Sequence, residues 1–183
     1  MAHIDLGVDE HQFPGIIGLM HYRPLTAKPL NDLAEALLRA PNSLSRGERE
    51  LIAAYVSGLN ECTFCCASHS AFAAAQLDAG MSLVDQVRAD VEAAPISPKL
   101  KALLRIAEAV QADGRKVTPD LVAAARSQGA TDLEVHDAVL IAAAFCMFNR
   151  YVDGLGTVAP EDRASSVPMA QVVVHAGYAR TPS

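Results

Sequence analysis

Apolar residues fall at helical spacing along most of the chain. The segment LNDLAEALLRAPN, residues 30–42, predicts a short amphipathic helix that stops at Pro41. In SRGE, Ser45 precedes Glu48 by three residues, a capping-box signature, and RELIAAYVSGL then carries a helix to Asn60. A turn at Asn60 and Glu61 leads into CTFCCASHSAFAAAQLDAG, which is expected to end at Gly80, a residue suited to a helix stop. Two helices joined by so short a link lie antiparallel.

Downstream, Ser82 is placed to open LVDQVRADVEAA, and Ser97-Pro98 opens KLKALLRIAEAVQADG with proline at the first helical position. Thr118-Pro119 repeats that device for a short helix ending near Gly129. Thr131 and Glu134 form a second capping box ahead of HDAVLIAAAFCMFNRYVDGLG, a helix apolar nearly all round and so expected at a bundle centre or an oligomer interface. The first thirty residues, with Pro14, Pro24 and Pro29, read as an extended arm. After Gly156 the pattern decays, and AQVVVHAGY near the end is β-prone. No other strand is convincing. The expectation is an all-α helical bundle with an N-terminal arm (1–29), a helical domain (30–156) and a C-terminal arm (157–183).

Composition agrees with this. At 183 residues the chain suits one domain, about half of its residues are apolar, and tryptophan is absent. The formal net charge is −6 with lysine and arginine scattered, so no basic stripe exists to neutralise a nucleic acid. MAHIDLGVDEHQ lacks the positive start and apolar stretch of a secretory signal. The longest uninterrupted apolar run, AVLIAAAFCMF, is short of the ~20 residues that cross a bilayer. A cytoplasmic protein without membrane partners is expected, and apolar helices with long arms suggest a homo-oligomer.

Chemistry concentrates in NECTFCCASH, residues 60–69, which holds three of the four cysteines. Such crowding is no secreted disulfide framework; in a reducing compartment it points to catalysis or metal. At ~100° per residue, Cys62, Cys65 and His69 fall within about 60° around one helix axis, whereas Cys66 leaves that face. Cys62 and Cys65 sit in the first turn, where unpaired N–H groups and the dipole favour a thiolate. His69, one turn below Cys65, is placed to take its proton. Glu50 lies ~15 Å of helix before the turn and His69 ~13.5 Å after it, so the two meet at one height if both face the seam. Glu50 can then orient the imidazole.

Other readings of the cluster stay open. Cys62, Cys65 and His69 with Glu50 or Cys146 can supply zinc ligands, although no second Cys-x-x-Cys or Cys/His arm appears. Buried inert thiols in a packed hairpin are the other alternative. Cys146 reads as a small core residue. Asn149 and Arg150 read as a buried polar pair, with a substrate-anchoring role for Arg150 as the sharper option. His136 and Asp137 read as a solvated first-turn pair, and His21 and Tyr22 as candidates to roof the site.

The stretch SRGERELIAAYVSGLNECTFCCASHSAFAA resembles the core motif of the AhpD-like alkylhydroperoxidases, in the carboxymuconolactone decarboxylase superfamily, and within it the peroxidase-related branch. That motif is a glutamate, twelve residues to a Cys-x-x-Cys pair, and a histidine four residues beyond. Glu50, Cys62, Cys65 and His69 meet each part. The resemblance implies that Cys65 attacks a hydroperoxide and becomes a sulfenic acid, that Cys62 condenses with it to a disulfide, and that His69 and Glu50 relay protons. It implies no tightly bound cofactor, but an external dithiol reductant, of lipoyl type in relatives and carried by a partner protein. Two departures stand out. Phe64 occupies the place of a second histidine, and Cys66 is an extra thiol able to compete as resolver. A dithiol–disulfide oxidoreductase, a non-enzymatic redox-sensing oligomer and a lactone decarboxylase are the alternative functions.

Overall fold

Helix starts written into the chain set the architecture. The computed structural model describes residues 1–160 and 162–178, and no strand occurs among them. Nine α-helices follow one another there: α1 (Ile16–Tyr22), α2 (Pro24–Arg39), α3 (Arg46–Leu59), α4 (Thr63–Ala74), α5 (Gly80–Ala89), α6 (Pro98–Ala112), α7 (Pro119–Ser127), α8 (Asp132–Gly154) and α9 (Val167–Ala176). The class is all-α, as expected. Both capping boxes form: the Ser45 and Thr131 hydroxyls accept the N–H groups of Glu48 and Glu134, whose carboxylates accept the cap N–H groups in return. Each satisfied cap is worth about 1 kcal/mol. Ser97 and Thr118 cap α6 and α7 ahead of prolines.

The core lies where α3, α6 and α8 meet, with α4 folded back along α3. Leu51, Ile52, Leu103, Ile106, Ile141 and Phe145 are almost fully enclosed there. By length and composition α8 is the one helix among the described residues able to cross a membrane. Its packing gives it another role: Ala138, Ile141, Ala142 and Phe145 fill the core, and the buried Glu134 and Asn149 fix its two ends. It is the central helix of the bundle.

Three boundaries differ from expectation. The second helix begins at Pro24, six residues early, because Pro24 pre-sets the first turn, and Ala27, Ala34, Leu37 and Leu38 then bury one face despite Pro29 in the second turn. The cysteine helix ends at Ala74, and Gly80 instead begins α5 with a positive φ of 59°. The β-prone piece is helical: Pro168 starts α9, and Ala170 and Val173 pack on Ala71 and Phe72 of α4, so tertiary contact overrides the valines' preference. Residues 161 and 179–183 of the tail lie outside the described residues. The N-terminal segment lies along the chain after α8, where His3 N–H donates to the Leu155 carbonyl and Gly15 N–H to that of Val158.

Glu134 shows how the caps carry pH dependence. Burial raises its carboxyl, but Lys99 at 2.8 Å, the Thr131 N–H and the Ser43 hydroxyl outweigh this and hold it at about 2. A folded-state value below the ordinary 4.5 means stability present above about pH 4.5 and lost as pH falls towards 2. The expected loss from this group is about 2–3 kcal/mol. Denaturant midpoints measured against pH should show that component in the wild type and lack it in Glu134→Gln.

Candidate functional site

The site is built on the α3–α4 hairpin, and α8 fixes its turn. Asn60 ends α3, Glu61 takes a positive φ of 58°, and Cys62 N–H reaches back to the Ser57 carbonyl at 3.1 Å. The buried Asn149 accepts from the Asn60 amide at 2.8 Å and donates to the Ser57 hydroxyl at 3.1 Å. Asn149 is thus the structural polar residue expected. Arg150 is not its buried partner: it is exposed and its guanidinium donates to the Cys146 carbonyl of its own helix.

Glu50 and His69 do meet across the seam. His69 Nδ1 lies 2.7 Å from Glu50 Oε2, and the glutamate is only 1% exposed. An ionised carboxylate can only accept, so the shared proton belongs on Nδ1, and Nε2 is the ring nitrogen that Glu50 leaves unoccupied. Rings fix the imidazole: Phe145 and Phe72 meet it edge-on at centroid distances of 4.5 and 5.1 Å, and Tyr178 stacks at 6.3 Å.

The second oxygen of Glu50 is held by a residue that sequence reasoning missed. Tyr178 O–H donates to Oε1 at 2.6 Å. Burial, then the charge of Glu50 and the hydrogen bond to it, push the phenol well above its usual range, so it stays a donor. The segment after α9 is clamped by α2. Arg39 donates to the Val173 and Val174 carbonyls at 2.7 and 3.1 Å, and Tyr178 N–H donates to Glu35 at 2.8 Å. Gly177 makes this approach feasible, since with its φ of 79° a Cβ would sit 2.4 Å from a Glu35 oxygen. No spacing rule links position 178 to the hairpin; the only sequence signal was an aromatic following a glycine after an apolar run.

Cys62 caps α4 and Cys65 lies in its first turn; both are buried free thiols. The Cys62 thiol is pushed far up, first by its hydrogen bond to Cys65, then by burial. Cys65 and His69 line one cavity of about 360 Å³, whose walls are apolar side chains such as Ile16, Leu30, Phe64, Phe148 and Met169. His21 also lines it, whereas Tyr22 does not. Cys66 faces away, as the helix geometry required. His136 and Asp137 pair at 2.8 Å on the exposed start of α8, far along the helix from these groups. Among the described residues no three His, Cys, Asp or Glu side chains converge as a metal ion would need.

Tyr178→Phe strips a donor from a buried carboxylate without changing shape. It is expected to destabilise the fold by about 1–3 kcal/mol, read as a shift in urea midpoint with an unchanged slope.

Comparison with known proteins fits this geometry. The Carboxymuconolactone decarboxylase family profile matches residues 24–109, which include α3, α4 and all four motif residues. No curated protein matches the chain. A solved structure described as an alkylhydroperoxidase AhpD core, an uncharacterized peroxidase-related protein from Ralstonia eutropha JMP134, superposes with a TM-score of 0.76 at 26% identity, over 87% of this chain and 82% of that one. An uncharacterized peroxidase-related protein from Silicibacter sp. TM1040 superposes with a TM-score of 0.74 at 21% identity, over 83% of this chain and 81% of that one. Residues 24–109 are thus similar to the carboxymuconolactone decarboxylase family, with the four motif residues on the hairpin inside that match, and the chain shares the all-helical fold of the AhpD-like structures.

Proposed function

We propose that the chain is a thiol-dependent peroxidase that reduces organic hydroperoxides through Cys65 and Cys62. One observation supports this most: Cys65 shares an apolar cavity with an imidazole whose Nδ1 is committed to a buried carboxylate. His69 takes the Cys65 proton on Nε2. The thiolate attacks one hydroperoxide oxygen, the O–O bond breaks, and the alcohol leaves with a proton from His69, giving Cys65 sulfenic acid. Cys62, which carries its proton beside Cys65, then condenses with it, releasing water and forming a disulfide. Glu50 stabilises the transient imidazolium. An external dithiol, of the lipoyl type the resemblance suggests, restores both thiols.

The apolar walls favour a hydroperoxide with a hydrocarbon body over hydrogen peroxide. A dithiol–disulfide oxidoreductase would use the same sulfurs but has no need of this cavity. We place the enzyme in the cytoplasm, where its thiols stay reduced. We also propose a homo-oligomer. Leu133, Leu140 and Met147 recur every seventh residue on the exposed face of α8, at 57%, 38% and 44% exposure, and a second copy can cover that stripe.

Two tests follow. Cys65→Ser should abolish consumption of cumene hydroperoxide with a dithiol donor, and Glu50→Gln should lower it about 10–100-fold. Activity retained in Cys65→Ser would defeat the reading. Leu140→Glu should shift the protein to smaller species in analytical ultracentrifugation with its helical content kept.

A further inference from the structure

The three cysteines at the head of α4 do not face one space. Cys65 opens on the apolar cavity, but Cys62 and Cys66 line a separate pocket of about 280 Å³, together with Gly58, Glu61, Thr63 and Arg88. Cys62 therefore stands between two compartments: its thiol is hydrogen-bonded to Cys65 while its residue also borders the far pocket. Cys66 is the most exposed of the three, at 7% against 3% for Cys65 and 0% for Cys62. Gly58 shapes the far pocket. A Cβ there would lie 3.2 Å from Arg88 Nε and 3.6 Å from Cys66 Sγ, which puts guanidinium and sulfur within about 7 Å of each other. A neighbouring cation favours the thiolate, the form that attacks a disulfide.

These features pose a problem of access. A disulfide between Cys62 and Cys65 offers an incoming reductant one fully enclosed sulfur and another behind apolar walls. The pocket beside Cys66, bordered by Glu61 and Arg88, offers an external dithiol a second approach. Resting on the peroxidase reading, we propose that Cys66 is a third redox-active thiol, which carries the disulfide from the substrate side of α4 to the far pocket and presents it there to the external dithiol.

The exchange balances without a further oxidant or reductant. The Cys66 thiolate attacks Cys62 Sγ, the Cys62–Cys65 bond breaks, and Cys65 leaves as a thiolate that regains a proton from His69 or water. The enzyme now holds a Cys62–Cys66 disulfide with Cys65 free on the substrate side. One thiolate of the external dithiol then attacks Cys66 Sγ, Cys62 leaves and is protonated, and the second thiol of the reductant displaces Cys66. The products are two protein thiols and a cyclic disulfide. Geometry permits the bridge: Cys66 lies one turn below Cys62, its N–H bonded to the Cys62 carbonyl at 2.9 Å. Side chains one turn apart have Cβ atoms about 5–6 Å apart, so closure requires a shift of an ångström or two. Cys62, as the cap, has extended backbone (φ −76°, ψ 98°) and so stands outside the helical run that fixes Cys66.

Mapping the sulfur that meets the reductant tests this. Protein oxidised with one equivalent of cumene hydroperoxide is treated with limiting 2-mercaptoethanol, quenched with iodoacetamide, digested and sequenced by mass spectrometry. The expected adduct is mercaptoethanol on Cys66, and Cys66→Ser and Cys66→Ala should each slow recycling by an external dithiol about tenfold or more. Adducts on Cys62 or Cys65, with recycling unchanged in both variants, would overturn the relay while the peroxidase reading stands. A wild-type protein that neither consumes peroxide nor forms a cross-link would overturn both.

Discussion

A carboxylate taken almost wholly out of water is the constraint around which this molecule is organised. Glu50 sits in the most enclosed helix of the bundle, and an ionised side chain there is costly unless its lone pairs are occupied. Two donors answer that demand. His69 comes from the next helix and Tyr178 from the far end of the chain, so one buried charge ties α3, α4 and the segment after α9 into a unit. Removing any member leaves the others with an unmet partner. The hairpin, the C-terminal clamp and the orientation of the imidazole are consequences of the same requirement.

The sulfur chemistry is set by position on α4 rather than by residue type alone. Three thiols within five positions experience three environments. Cys62, at the cap, is enclosed beside Cys65; Cys65, in the first turn, opens on an apolar cavity; Cys66, one step further round the axis, opens on a pocket bordered by an arginine. A rotation of ~100° separates the last two. The helix therefore works as a partition between two pockets, with Cys65 on one side and Cys66 on the other.

Much of this was legible in the chain because the signals are local. Ser45 with Glu48 and Thr131 with Glu134 announce helix starts through side-chain oxygens that serve nearby N–H groups. The meeting of Glu50 and His69 follows from equal rise on either side of a short turn. What was not legible depends on distant contact. The valines of α9 carry a strand preference that packing on Ala71 and Phe72 reverses, and Gly80 looked like a stop because left-handed glycine usually ends a helix, whereas here it follows a turn and begins α5. Tyr178 was invisible for the same reason: its role is conferred by Glu35 and Arg39, neither of which has a sequence relation to it. Asn149 was readable as structural, whereas Arg150 was not readable as exposed, because consecutive positions on a nearly all-apolar helix differ in face more than in pattern.

The clamp between α2 and the residues after α9 bears on how the protein is made. Glu50 and Tyr178 are 128 positions apart, so a growing chain exposes the hairpin long before the phenol that completes it has been synthesised. Until then the carboxylate has one oxygen without its tyrosine, and the cavity lacks the wall that α9 contributes. A ribosome-bound intermediate thus carries all the cysteines but only a provisional enclosure around them. Closure of the pocket waits on synthesis of the residues that follow α9.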